Sequence, residues 1–134
     1  SRFGDPETQV ILPRLTSDFA QNITDILDGK APEITWTDKG VTLGVVVASE
    51  GYPVAYEKGV RLPEKTSGDI ITYYAGAKFA DDKALLSNGG RVYMLVTTKE
   101  DVKSAQDVIY AELATQDTTG LFYRNDIGSK AIGR

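Results

Sequence analysis

Residues 41–50 read VTLGVVVASE, and the fold turns on how that stretch is interpreted. At a two-residue period Val41, Leu43, Val45 and Val47 point to one side, while Gly44, Val46 and Ala48 point to the other. Both faces are therefore apolar, which predicts a strand in the middle of a sheet with material covering each side. Upstream, EITWTD at 33–38 also alternates. Asp38-Lys39-Gly40 stands between the two runs, with a glycine where a turn needs positive φ, so the pair predicts a β-hairpin.

Downstream, GYPVAYEKGVRLPEKTSGD at 51–69 carries three glycines and two prolines, the composition of a long surface loop, and loops of that length are often functional. IITYYAGAKF at 70–79 and ALLSNGGRVYMLVTT at 84–98 predict further strands, with Asn88-Gly89-Gly90 as the turn before the last of them. From Asp101 to Thr115 the period becomes helical: Val102, Ala105, Ile109 and Leu113 form one stripe, and the Asp101 carboxylate is placed to cap the first turn. GLFYRNDIGSKAIGR closes the chain with one short apolar burst and then mixed charge.

Before residue 33 a second helix is predicted. Phe19, Ile23, Ile26 and Leu27 share a face from a Ser17 cap to a Gly29 stop, and Lys30-Ala31-Pro32 reads as a linker. The fold class expected is α+β: a mostly antiparallel sheet with one long helix packed on it, spanning 33–134, preceded by a loop and helix in 1–30 that lack partners for a core of their own. Helix 17–28 is expected to pack on the sheet.

Composition narrows the chemistry. The 134 residues are 41% hydrophobic, enough for a core without staples, and they contain neither cysteine nor histidine. That excludes disulfides, thiolate zinc sites, cysteine nucleophiles and Ser-His-Asp triads, so chemistry must rest on carboxylates, Lys, Arg and backbone groups. A net charge of -4 and the lack of aromatic-basic alternation argue against nucleic acid. Apolar runs such as VVVA at 45–48 are far too short for a membrane span. A soluble cytoplasmic protein is expected.

Four segments could carry function. In SRFGDPETQV at 1–10, Arg2 can grip a carboxylate or phosphate, and Asp5 and Glu7 can orient an amine or take a proton. Asp5-Pro6-Glu7 is also an ordinary helix start. In SNGGRV at 87–92 the two glycine amides and Arg91 could surround an anion, although Asn-Gly is equally a common hairpin turn. YYAGAKFADD at 73–82 offers Gly76, which can mark a close backbone approach, Lys78, and the adjacent acids Asp81 and Asp82, for which a solvated turn is preferred over a magnesium site. Arg124 and Asp126 suggest a structural ion pair.

Taken together, RFGDPETQ at 2–9, LGVVVASEGYP at 43–53, YAGAKFADD at 74–82, SNGGRV at 87–92 and RNDIGSKAI at 124–132 resemble, in order, the motifs of the glycinamide ribonucleotide synthetase family of ATP-grasp ligases. The resemblance implies a ligase of early purine synthesis that joins glycine to 5-phosphoribosylamine, with ATP hydrolysed to ADP and phosphate through a glycyl phosphate. It implies ATP and Mg2+ (or Mn2+) in the full-length enzyme and none bound to this piece. The family pattern Glu-x-Asn-x-Arg-Phe-Gly-Asp-Pro-Glu puts its metal-binding Glu and Asn upstream of residue 1. Residues 1–30 would then end an ATP-grasp domain and 33–134 form the C-terminal domain. The other domains of the same chain would be the partners, and the piece would be inactive alone.

By the same resemblance Arg2 faces the transferring phosphate, Asp5 and Glu7 position glycine or the amine, and Asn88, Gly89, Gly90 and Arg91 bind the ribose phosphate. Lys78 joins the substrate site, although Ala77 stands where relatives commonly have threonine. The alternatives are a stand-alone, non-catalytic interaction module reusing the fold, or an ATP-grasp ligase with another acceptor amine.

Overall fold

The computed structural model describes residues 2–64 and 66–132. Its elements are α1 (Thr8–Ile11), α2 (Phe19–Leu27), β1 (Val41–Ser49), β2 (Ile71–Tyr74), β3 (Ala77–Phe79), β4 (Leu85–Ser87), β5 (Arg91–Lys99), α3 (Val102–Thr115) and β6 (Leu121–Tyr123). Four strands form one sheet in the order β2-β5-β1-β6, with every pairing antiparallel. The doubly apolar strand β1 is internal, as its pattern requires.

On one face α3 lays Ala105, Ile109 and Leu113 against Val45, Val47, Tyr93 and Leu95, all buried. Asp101 caps α3 by accepting from the Ser104 amide at 2.7 Å. That contact holds the Asp101 carboxyl below the usual carboxylate range. The Gly51–Ile70 loop contributes Leu62 and Ile70 to the same core, and Glu112 of α3 ties it down by accepting from both the amide and the hydroxyl of Ser67. Gln116 donates to Glu112 and accepts from the buried Tyr93 hydroxyl, which completes the network.

The opposite face of the sheet receives the opening segment. Gly44 makes this possible: a Cβ there would lie 2.9 Å from Val10 Cγ1 and 2.0 Å from Met94 Cε, so only glycine lets α1 settle on β1. Helix α1, rather than the longer α2, makes this contact. The expectation that helix 17–28 packs on the sheet is therefore corrected. Its apolar residues Phe19, Ile23, Ile26 and Leu27 stay exposed, and the helix is held instead through Asn22, whose amide donates to Glu33 O and whose carbonyl oxygen accepts from Ser17. Asp18, not Ser17, is its N-cap. Gly29, at φ +72°, ends it as expected, with the Lys30 amide reaching back to Asp25 O.

Two strand pairings also differ from the expectation. Residues 33–38 form no hairpin with β1. Thr16 and Ser17 donate to Thr35 O, Thr37 donates to Arg14 O, and Leu15 bridges Trp36. Gly40 does take positive φ, and the Arg14 guanidinium fastens that turn by donating to Thr37 O and Gly40 O, both at 2.9 Å. Nor is Asn88-Gly89-Gly90 a hairpin turn: β4 pairs with β3 in a small second sheet, and β5 pairs with β1 and β2. Alternation tells a strand which way its side chains face; it does not choose the neighbour.

Candidate functional site

The Asn88–Arg91 crossing between the two sheets is held unusually close to its surroundings. A Cβ on Gly76 would fall 2.6 Å from Gly89 Cα and 2.7 Å from Arg91 O, so two backbones touch there. Gly76 donates to Arg91 O, and the Asn88 amide donates to Gly76 O at 2.6 Å. Ser49, fully buried at the end of β1, secures the other side through its amide to Gly90 O and its hydroxyl to Gly89 O, both at 2.8 Å. The ring of Tyr52 lies where a Gly90 side chain would be, with Cδ2 2.1 Å from an added Cβ.

From this crossing Arg91 reaches the opening loop. Its Nε and Nη2 donate to Asp5 Oδ2 at 3.2 and 2.9 Å, while Nη1 donates to the Tyr52 hydroxyl at 3.2 Å. Hydrogen bonding and charge from Asp5 raise the Arg91 pKa. Gln9 donates to the other Asp5 oxygen at 3.2 Å. Two motifs separated by 86 residues thus form one structure. The Asp5-Pro6-Glu7 stretch does lead into α1, with Glu7 at its N-cap position.

The remaining predicted residues divide into two groups. Arg2 is exposed, and its one side-chain hydrogen bond among the described residues goes to Phe3 O at 3.2 Å, leaving most of its donors free. Glu7 is exposed, and its carboxylate accepts no hydrogen bond among the described residues. Asn88 is also exposed, close to this group. Lys78 sits on β3, exposed, and lines none of the cavities beside the opening loop. Asp82 accepts from the Ala84 amide in a solvated turn. Arg124 and Asp126 form the expected ion pair, at 2.6 and 2.8 Å, which lowers the Asp126 pKa.

Glu7 lies between two of the cavities beside the opening loop. One, of about 460 Å³, lies over the sheet face away from α3, with Gly44, Val46, Ala48 and Met94 at its floor and Glu7, Arg91 and Arg124 among its charged lining. The other, of about 330 Å³, is an apolar bowl that includes Ile11, Phe19, Ile26, Ile34 and Trp36, with Arg2 and Glu7 also lining it. Glu7 borders both. Among the described residues no group of three or more acids could hold a metal ion. No helix among the described residues is long and apolar enough to cross a membrane.

Tyr52, Ser49 and Gln9 received no role from the sequence, although each stands in or beside a quoted motif. The two glycines leave room for different neighbours: Gly89 for the Gly76 backbone and Gly90 for the Tyr52 ring.

Comparison with known proteins places these features in context. Residues 42–130 match the family described as "Phosphoribosylglycinamide synthetase, C domain". A phosphoribosylamine-glycine ligase of Streptococcus pyogenes serotype M18 is 80% identical over 132 residues, covering 98% of this chain and 31% of its own. A ligase of the same name from Streptococcus pneumoniae R6 is 78% identical over 133 residues, with 98% and 32% covered. The crystal structure of phosphoribosylamine-glycine ligase from Thermotoga maritima superposes with a TM-score of 0.78 at 33% identity, covering 94% of this chain and 31% of that one. The chain thus spans about a third of the length of the relatives it matches.

Proposed function

Because the chain belongs to the phosphoribosylglycinamide synthetase C-domain family, we propose that it is the closing part of a ligase that joins glycine to 5-phosphoribosylamine. In that reaction the γ-phosphate of ATP passes to the glycine carboxylate, ADP leaves, and the resulting glycyl phosphate is attacked by the amine with loss of phosphate. Such chemistry depends on positioning and on charge stabilisation, which suits a chain without histidine. Magnesium would screen phosphate charge during transfer.

The observation that carries the proposal is the joining of the opening loop to the Asn88–Arg91 crossing through Arg91 and Asp5. It ties the segment that carries Arg2 and Glu7 to the segment that carries the glycine pair, which together would supply the groups a phosphate- and amine-handling site requires. Arg2 would meet the transferring phosphate. Asn88, Gly89 and Gly90 would hold the ribose phosphate beside Arg91, and Lys78 would add a longer-range positive charge. Residues 1–30 would complete an ATP-grasp domain whose remaining segments cover the apolar bowl. Residues 33–134 would form the C-terminal domain of a cytoplasmic enzyme, and the 134 residues alone would not turn over ATP.

The test joins these 134 residues to the first two-thirds of the Streptococcus pyogenes relative and measures ADP release with ATP and magnesium. Release that needs both glycine and phosphoribosylamine supports the proposal. Release without phosphoribosylamine, or none, removes it, and so does ATP turnover by the 134 residues alone.

A further inference from the structure

The opening loop presents two acids, and their surroundings differ sharply. Both oxygens of Asp5 are already engaged: Oδ2 accepts twice from Arg91, and Oδ1 accepts from Gln9. All three guanidinium nitrogens of Arg91 are likewise engaged, two by Asp5 and one by Tyr52. Tyr52 in turn is seated on Gly90, where any side chain would displace its ring. Glu7 contrasts with all of these: its carboxylate is exposed, faces both cavities and accepts no hydrogen bond among the described residues.

We infer that Asp5, Arg91 and Tyr52 are positioning residues that lock the opening loop onto the sheet, and that Glu7 is the acid of that loop that meets the substrate amine. This rests on the ligase reading for the word substrate, but the lock itself does not. A carboxylate with three donors from its own protein has little remaining capacity for a ligand, whereas one without a partner at the lip of two cavities is free to accept from an ammonium group. Catalytic groups must be held to within a fraction of an ångström, and the lock adds a charged tie to the sheet beyond the loop's own Phe3–Phe19 contact and Thr8–Gly4 hydrogen bonds.

Two measurements decide the matter. In the 134-residue chain, nitrogen-15 NMR compares the Nε–H resonances of Arg91 and Arg2. The lock predicts that Arg91 is protected from solvent exchange, that Arg2 is not, and that Asp5→Asn abolishes the protection. Equal, fast exchange of both in the unmutated chain overturns it. In the joined enzyme, Asp5→Asn and Arg91→Lys should each lower kcat by up to about 10²-fold, the cost of a misplaced catalytic group, while KM for phosphoribosylamine stays within about twofold. The double variant should be no worse than the poorer single, because both remove one link.

Glu7→Gln should lower kcat and, unlike Asp5→Asn, leave the protection of the Arg91 Nε–H intact, since Glu7 takes no part in the lock. A raised KM for phosphoribosylamine with intact kcat in Arg91→Lys would make Arg91 a phosphate ligand and overturn the assignment. So would loss of the Arg91 Nε–H protection in Glu7→Gln. If the joined enzyme never shows turnover dependent on both substrates, the ligase reading and the role given to Glu7 fail together, and the NMR comparison still decides the lock.

Discussion

Replacing Gly76 with alanine tests whether the Asn88–Arg91 crossing is built on backbone contact. The new methyl would sit 2.6 Å from Gly89 Cα, 2.7 Å from Arg91 O and 2.9 Å from Gly89 N, all main-chain atoms that cannot rotate away. Overpacking of this kind costs about 1–3 kcal/mol. The shift also weakens two backbone hydrogen bonds, Gly76 N to Arg91 O and Asn88 N to Gly76 O, at about 1 kcal/mol each. Even at the low end of these ranges the total, about 3 kcal/mol, is a large share of the roughly 5–15 kcal/mol that holds a domain folded.

The assay is urea unfolding at equilibrium. With a slope of about 2 kcal/mol per molar, the midpoint should fall by about 1.5 M. A fall of less than about 0.5 M would refute the reasoning, since it would mean that the two backbones part without cost. Gly90→Ala provides the contrast. Its methyl meets only the Tyr52 ring, which can swing aside, so the stability loss should be smaller, about 1–2 kcal/mol, while Arg91 loses its contact with the Tyr52 hydroxyl.

Three further outcomes are expected. Glu112→Ala leaves the Ser67 amide and hydroxyl without their acceptor, so stability should fall by about 1–3 kcal/mol, and hydrogen exchange should quicken across the Gly51–Ile70 loop; unchanged exchange there would show that Glu112 does not anchor it. Asp101 has a lowered pKa because its carboxylate caps α3; its contribution is therefore complete above the unfolded value near 4 and is lost as pH falls through the folded one. The melting temperature of Asp101→Ala should accordingly lie below that of the unmutated chain at pH 7, with the gap closing in acid; a gap that widens in acid would reverse the sign. Trp36, the single tryptophan, is half exposed in the apolar bowl, so its fluorescence should shift to shorter wavelength when the 134 residues are joined to the preceding two-thirds of a relative. No shift would mean that those segments do not cover the bowl.

What the amino-acid sequence determined by itself was local. The doubly apolar run at 41–48 identified an internal strand, because a side chain's face follows from the two-residue period alone. The stripe from Val102 to Leu113 and the Asp101 cap identified α3, and Gly29 and Gly40 marked positive-φ positions because those conformations are set by the residue's own backbone. The Arg124–Asp126 pair was legible for the same reason, its members being two residues apart.

Tertiary structure decided everything that depended on which segments meet. Residues 33–38 alternate like a hairpin strand yet pair with Leu15 and its neighbours. Asn88-Gly89-Gly90 has the composition of a hairpin turn, yet it crosses between sheets because β4 finds β3 and β5 finds β1 and β2. The helix with the more amphipathic pattern, α2, keeps its apolar face exposed, while the short α1 reaches the sheet through the space above Gly44. Asp5 and Arg91 were both visible as candidate ligand groups, but that they occupy each other follows only from a contact across 86 residues. Long-range pairings of this kind are selected by the collective packing of the whole sheet, and no local period encodes them.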